Sequence, residues 1–232
     1  MIGVIVTTYN RPGALKRSLP QIAALGWPVL VVDDGSNSEC VRANADIIVR
    51  HGACQLWIPN NRGLASALNV GLSFWLADKR VEWISYFQDD VDVHPDLFRE
   101  LDKVARETAG VRLFTGHDSP DHPAFEKGRG VVLKRTCAGV HLHARPEFWA
   151  GVMPIPTFEL GAPKRVPGRV RGIGSNVDWW IVRDSPQSVA NMPVKHIACL
   201  PGLVRTFLFK AEDSSWGNAP RCGEDAPLRT TW

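Results

Sequence analysis

Three carboxylates fall within four positions in Gln88-Asp89-Asp90-Val91-Asp92. Packed so closely, they repel one another and cost free energy unless a positive charge sits among them. Hard oxygen ligands suit Mg²⁺ or Mn²⁺, which keep open positions for phosphate oxygens. The segment therefore reads as a divalent-cation site shared with a diphosphate. The plain alternative is a solvated acidic turn that caps the helix at Pro95, a role Asp96 or His94 could also fill. Two further polar clusters are Thr7-Thr8-Tyr9-Asn10-Arg11 and Asp33-Asp34-Gly35-Ser36. The second also has the composition of an ordinary turn. No Gly-x-Gly-x-x-Gly follows the first apolar run, and no Gly-x-x-x-x-Gly-Lys-Ser/Thr loop occurs. Both omissions argue against the dinucleotide and P-loop classes.

Each cluster ends an apolar run that reads as a buried strand: Gly3–Thr8, Val29–Val32 and Trp83–Phe87. Ligands of open α/β sheets bind beyond the carboxyl ends of such strands. Between them, Ala14–Leu25 has helical apolar spacing, with Pro20 predicting a kink or two short helices. A short strand is predicted near Ile47-Ile48-Val49, a helix from Asn61-Arg62-Gly63 through Trp75, and a helix from Pro95 to about Ala109. Repeated strand–helix winding implies an α/β protein with a Rossmann-like, mainly parallel central sheet flanked by helices.

The second half is less regular. Strands are predicted at 111–115, 130–134 and 197–200, and a short helix from Pro146. Residues 154–176 hold four prolines and the basic residues Lys164, Arg165, Arg169 and Arg171. That composition reads as a long loop, either solvated, closing over a diphosphate, or gripping acceptor phosphates. Asp178 follows it and precedes Trp179 and Trp180, whose apolar surface would raise a carboxyl pKa toward general-base use. A helix-start carboxylate and two core tryptophans are the alternative reading. His141 and His143 alternate on an extended segment and so share a face. His117, Asp118, Asp121 and His122 sit in a Pro-punctuated polar loop.

The chain is 232 residues long, 44% hydrophobic and 22% charged, with a net charge of +3. Those values fit one globular domain and exclude disordered and collagen-like classes. No apolar run approaches the ~18 residues of a membrane span. The five cysteines (Cys40, Cys54, Cys137, Cys199, Cys222) show no CxxC spacing, which favours reduced thiols in a cytoplasmic protein.

Four motifs in order resemble one family. They are Val4–Pro12, Val31-Val-Asp-Asp-Gly-Ser36, Asn60-Asn-Arg-Gly-Leu-Ala65 with Asn69-Val-Gly71, and Tyr86-Phe-Gln-Asp-Asp-Val-Asp92. Together they are similar to GT-A-fold nucleotide-sugar glycosyltransferases of the family 2 type. A second resemblance, to the N-acetylglucosaminyltransferase I family, runs through Gln88–Phe98, Arg145–Trp149, Asp178–Trp180 and Cys199–Thr206, apart from Gln88 itself, where that family has a carboxylate.

The resemblance implies a single GT-A domain, with a nucleotide-sugar-binding half at 1–110, an acceptor and catalytic-base half at 111–210, and a tail at 211–232. It implies donor contacts from Thr7, Tyr9, Arg11, Asp33, Asp34, Arg62 and Asp89, with Asp33 accepting from the nucleobase imide. Asp90 would bind Mn²⁺ or Mg²⁺, with Asp92 aiding through water, and His196 is a further candidate ligand. Asp178 would be the general base of an inverting transfer from a nucleoside-diphosphate sugar, with a UDP-linked donor expected. Acceptor candidates are Lys164, Arg165, Arg169, Arg171, Trp179 and Trp180, and the acceptor itself is a glycan, a small molecule or modified DNA. DNA glycosylation and sugar nucleotidyl transfer are the alternative activities.

Overall fold

The computed structural model describes residues 1–119, 122, 124–128, 130–157, 177, 181 and 197–207. Its apolar runs become β1 (Ile2–Thr8), β2 (Val29–Asp33) and β4 (Trp83–Gln88), joined by the shorter β3 (Cys54–Trp57). The acidic segment continues into β5 (Val91–Val93). Later strands are β6 (Leu113–Thr115), β7 (Ala124–Lys127), β8 (Val132–Lys134), β9 (His141–Ala144), β10 (Ile197–Cys199) and β11 (Val204–Thr206). Helices are α1 (Pro12–Ala23), α2 (Ser38–Arg50), α3 (Leu64–Leu76), α4 (Leu97–Glu107) and α5 (Pro146–Val152).

Nine strands form one sheet in the order β3-β2-β1-β4-β9-β6-β10-β8-β7, so strands of both expected halves share it. β9 and β8 run against the others. The remaining pair, β11-β5, is a small antiparallel ribbon.

Both faces of the sheet are covered, as the near-continuous strand hydrophobicity requires. Alternation along β1 sends Val4 and Val6 to one core and Ile5 to the other. Leu68, Leu72 and Trp75 of α3 and Phe148 and Trp149 of α5 pack with Ile5. Leu15 and Leu19 of α1, Ile48 of α2 and Leu101 of α4 fill the opposite core. Trp75 also donates its indole N–H to Val4 O at 3.0 Å, which seats α3 on β1. Close seating needs Gly3, where an added Cβ would stand 2.6 Å from the Trp75 ring.

Two local expectations are corrected. Ile47-Ile48-Val49 is the end of α2, not a strand. Buried Cys40, Asn44, Ile47 and Ile48 follow helical spacing while Val49 is 77% exposed, so period outweighs β-branching. The helix begins where Asn37 accepts from the Cys40 N–H at 2.9 Å. Pro20 does not split α1 into two helices. The buried stripe Ala14, Leu15, Ser18, Leu19 and Ile22 runs past it, and packing of that stripe offsets the one hydrogen bond a proline removes.

His141 and His143 do share a face, and they are core groups. Their rings lie against Phe87 and Phe98. The Gly116 N–H donates to His141 Nδ1, so Nε2 carries the proton and donates to Ser85 Oγ at 3.0 Å. Burial holds both imidazoles below their ordinary pKa, His143 at about 3.

Candidate functional site

Parallel pairing in register sets the carboxyl ends of three strands side by side. Thr8 lies opposite Asp33 and Thr7 opposite Gln88. The three polar clusters, which are distant in sequence, therefore meet at one edge of the sheet.

The Asp33-Asp34-Gly35-Ser36 turn is held mostly by its own carboxylates. Asp33 is fully buried, with Oδ1 accepting from Ser36 N–H at 2.9 Å and Oδ2 from Asn44 Nδ2 at 2.8 Å. Asp34 accepts from the N–H groups of Arg62 at 3.0 Å and Gly63 at 2.7 Å. Burial pushes the Asp34 carboxyl up, against those two amides. In this arrangement both carboxylates build the turn. The turn packs so tightly that a Cβ on Gly35 would meet Asn61 N at 2.3 Å, and its φ is +77°. Asn10 joins in at φ 52°, its side chain accepting from Asn37 N–H and its own N–H donating to Ser36 Oγ. The loop before α3 is thus fastened to the loop after β2. Arg62 uses its backbone there and leaves its side chain exposed.

The acidic segment splits in two. Arg11, at the N-cap of α1, spans Asp89 and Asp90: one nitrogen pairs with Asp89 Oδ1 and NH1 lies 3.2 Å from Asp90 Oδ2. The Thr8 hydroxyl donates to Asp89 Oδ2 at 2.6 Å. Burial pushes the Asp89 carboxyl up to about 6 even beside Arg11, and the Asp90 charge adds to the rise. Burial works against the Arg11 charge too, but the two carboxylates outweigh it and its pKa rises. Asp90 Oδ1 is buried and has no hydrogen-bond partner among the described residues.

Asp92 sits on β5 and is gripped by both arms of Arg17, with Nε 2.9 Å from Oδ1, and by Gln21 Nε2 at 3.0 Å. Burial pushes its carboxyl up, but Arg17 and Gln21 hold it below the ordinary range. Both Asp92 oxygens are thus engaged by protein donors. Gln21 Oε1 also accepts from Val93 N–H, and Arg17 lies 4.2 Å over the Phe207 ring. Phe207 N–H in turn donates to Asp90 O at 3.1 Å.

A divalent cation fits this donor set in one way. Among the described residues no group of three or more His, Cys, Asp and Glu side chains could enclose a metal. One spare, buried carboxylate oxygen, on Asp90, suits a cation whose other ligands come from phosphate and water. A closed three-carboxylate cage does not fit.

Thr7 is buried, its hydroxyl 3.2 Å from Tyr86 Oη, while Tyr9 is half-buried at the rim. Thr8, Arg17 and Gln21 were not singled out from the sequence. Thr8 lay within the first polar cluster, but nothing local indicated that it meets Asp89. Asp178, Trp179, Trp180, Lys164, Arg165, Arg169, Arg171, His196, Asp121 and the segment from 211 lie outside the described residues. Val177 and Ile181, which flank Asp178–Trp180, are buried in the core that holds α3 and α5. Asn69 of the third motif grips the backbone of Ile155, donating to its O at 2.7 Å and accepting from its N–H at 2.9 Å.

Comparison with known proteins agrees with this geometry. No curated protein matches in sequence. A mannosyltransferase from Pyrobaculum calidifontis, solved with GDP-Man and Mn²⁺, superposes with TM-score 0.52 at 18% identity, over 67% of this chain and 47% of that one. GalNAc-T7, solved with UDP, GalNAc and Mn²⁺, gives TM-score 0.58 at 12% identity, over 89% of this chain and 43% of that one. A 4-diphosphocytidyl-2C-methyl-D-erythritol synthase from Anaerococcus prevotii gives 0.52 at 12% identity, over 87% and 89%. Likeness at these identities is one of fold, and the fold is GT-A. The chain spans less than half the length of the two transferases. The profile of glycosyl transferase family 2 matches residues 3–125, more than half of the 232. It stops short of Arg145–Trp149, Asp178–Trp180 and Cys199–Thr206, so the resemblance of the second half to N-acetylglucosaminyltransferase I gains no support. The chain belongs to glycosyl transferase family 2.

Proposed function

We propose that this chain transfers a sugar from a nucleoside-diphosphate sugar, UDP-linked in the first instance, to an acceptor hydroxyl with inversion at the anomeric carbon. One observation carries the reading: Asp89 and Asp90 stand beside Thr8 at adjoining carboxyl ends of parallel strands, with Asp90 Oδ1 buried and uncommitted. Tyr9 and the exposed Arg62 side chain flank the cleft where base and diphosphate would lie. Asp34 fixes the loop that carries Arg62. Asp89 would face ribose once one of its two partners yields an oxygen.

Asp90 would hold Mn²⁺ or Mg²⁺, which when bound supplies Lewis-acid neutralisation of the departing diphosphate. Asp178 would take the acceptor proton as the new bond forms. Its sequence neighbours Val177 and Ile181 are buried in the core that holds α3 and α5. Lys164, Arg165, Arg169 and Arg171 would meet the diphosphate or an acceptor's phosphates, and Trp179 and Trp180 would offer a face to sugar.

The test is a panel of nucleotide sugars with Mn²⁺ or Mg²⁺, read by thermal shift and by slow donor hydrolysis. The donor found is then offered to glycan, small-molecule and hydroxylated-base DNA acceptors. Binding and hydrolysis of a nucleotide sugar are expected, and no binding of any donor overturns the reading. Likeness to the Anaerococcus synthase over most of both chains makes nucleotidyl transfer the second reading. It would show itself as pyrophosphate release from a nucleoside triphosphate and a sugar phosphate.

A further inference from the structure

Arg11 is more than a donor contact. Its guanidinium lies inside the acidic cleft, 15% exposed, bridging a fully buried Asp89 and a nearly buried Asp90. Two negative charges therefore face one positive charge. The uncompensated remainder falls on Asp90 Oδ1, which is buried and accepts no hydrogen bond from the described residues. Like charges in a poorly solvated cleft interact strongly, so the sum of charge decides what else can enter.

We propose that Arg11 makes cation binding at Asp90 conditional on a diphosphate. A divalent ion entering alone would turn the cluster from net −1 to net +1, a buried positive excess beside a guanidinium. A divalent ion entering with a diphosphate of charge −2 returns the cluster to −1. Arg11 thus penalises metal without donor and rewards the pair. A carboxylate dyad with no arginine would be neutralised by the ion alone. Arg11 acts here as a positioning residue, holding Asp89 and Asp90 while setting the order in which ligands are accepted. The geometry suits that role, because Arg11 is fixed at the start of α1 by Pro12 at the first helical position and by its own carbonyl, which accepts from Leu15 N–H at 3.1 Å.

The identity of the diphosphate rests on the functional reading above, but the coupling can be measured without turnover. Mn²⁺ binding is read by electron paramagnetic resonance at pH 7.5, with and without UDP, on the wild-type chain, Arg11→Gln and Arg11→Lys. Wild type is expected to bind Mn²⁺ weakly alone and much more tightly with UDP. Arg11→Gln is expected to bind Mn²⁺ alone at least about tenfold tighter than wild type, from loss of one nearby like charge, and to gain much less from UDP. Arg11→Lys keeps the charge and should keep most of the coupling, which separates charge from shape. Should Arg11→Gln not fold, Arg11→Met, which fills similar space without charge, carries the same expectation. Unchanged or weaker Mn²⁺ binding in the uncharged variant overturns the proposal. Failure of the glycosyltransferase reading looks different: no nucleotide sugar binds, whatever the effect of Arg11 on Mn²⁺.

Discussion

Thr8 and Asp89 meet across two neighbouring strands, the Thr8 hydroxyl donating to Asp89 Oδ2 at 2.6 Å with both residues buried. This contact ties the end of β1 to the acidic segment. It also leaves Asp89 with one oxygen on a neutral donor and one on Arg11. Thr8→Val keeps the shape and removes the donor, so Asp89 Oδ2 is left unsatisfied in a desolvated place. A loss of about 1–3 kcal/mol is expected. Urea unfolding checks it, and a change below the error of extrapolation would show the contact to be idle.

Gly35→Ala should be more damaging than its size suggests. The added Cβ would meet backbone atoms of Asn60 and Asn61 at 2.3–2.4 Å, at a φ of +77° that side chains avoid. A cost of about 1–3 kcal/mol from strain is expected, together with weaker nucleotide binding as the Asn60–Gly63 loop shifts. Thermal denaturation measures the first and nucleotide titration the second. Intact values for both would mean that the turn relaxes freely.

Asp90→Asn and Asp92→Asn separate the two halves of the acidic segment. Asp90→Asn should abolish Mn²⁺ binding in the presence of UDP. Asp92→Asn should leave it unchanged, because Asp92 belongs to Arg17 and Gln21. Its side chain is 32% exposed, so the stability cost should stay within about 1 kcal/mol. Loss of metal binding in Asp92→Asn would return that residue to the metal site.

Acid sensitivity should arise partly from His143. Burial, with Arg145 adding, holds its imidazole at about 3, below the ordinary 6.5. A depressed folded-state pKa means that the unfolded chain binds the proton more readily between those values. Its contribution is full above pH 6.5 and falls as pH drops toward 3, at up to about 1.4 kcal/mol per pH unit. His143→Phe should flatten that slope between pH 6.5 and 4.5. The ring lies flat on Trp83 at 4.6 Å, and its buried Nδ1 has no hydrogen bond to lose. Equal slopes in both proteins would exclude His143 as a source.

The strands that end in polar clusters were legible because burial on both faces leaves long apolar runs, as in Val29–Val32. The parallel block and the site at its carboxyl edge followed from that. The acidic segment was legible only as a problem in charge. Repulsion among Asp89, Asp90 and Asp92 does demand cations, but two arginines supply much of what was assigned to a metal. Sequence spacing could not reveal this, since Arg11 and Arg17 lie more than seventy residues from their partners. Short strands such as β5 and β11 were hidden for a related reason. Three residues carry no period, and only their pairing defines them.

Both of those arginines come from one helix. Arg11 opens α1 and Arg17 lies within it, and between them they pair with all three carboxylates of the acidic segment, leaving it one negative charge. The segment is therefore not a portable cassette. Transplanted into another scaffold without α1, it would arrive as three bare carboxylates and would fold poorly whatever metal was supplied. A chimera that exchanges this motif should carry residues 11–21 and 88–93 together as a single inherited unit.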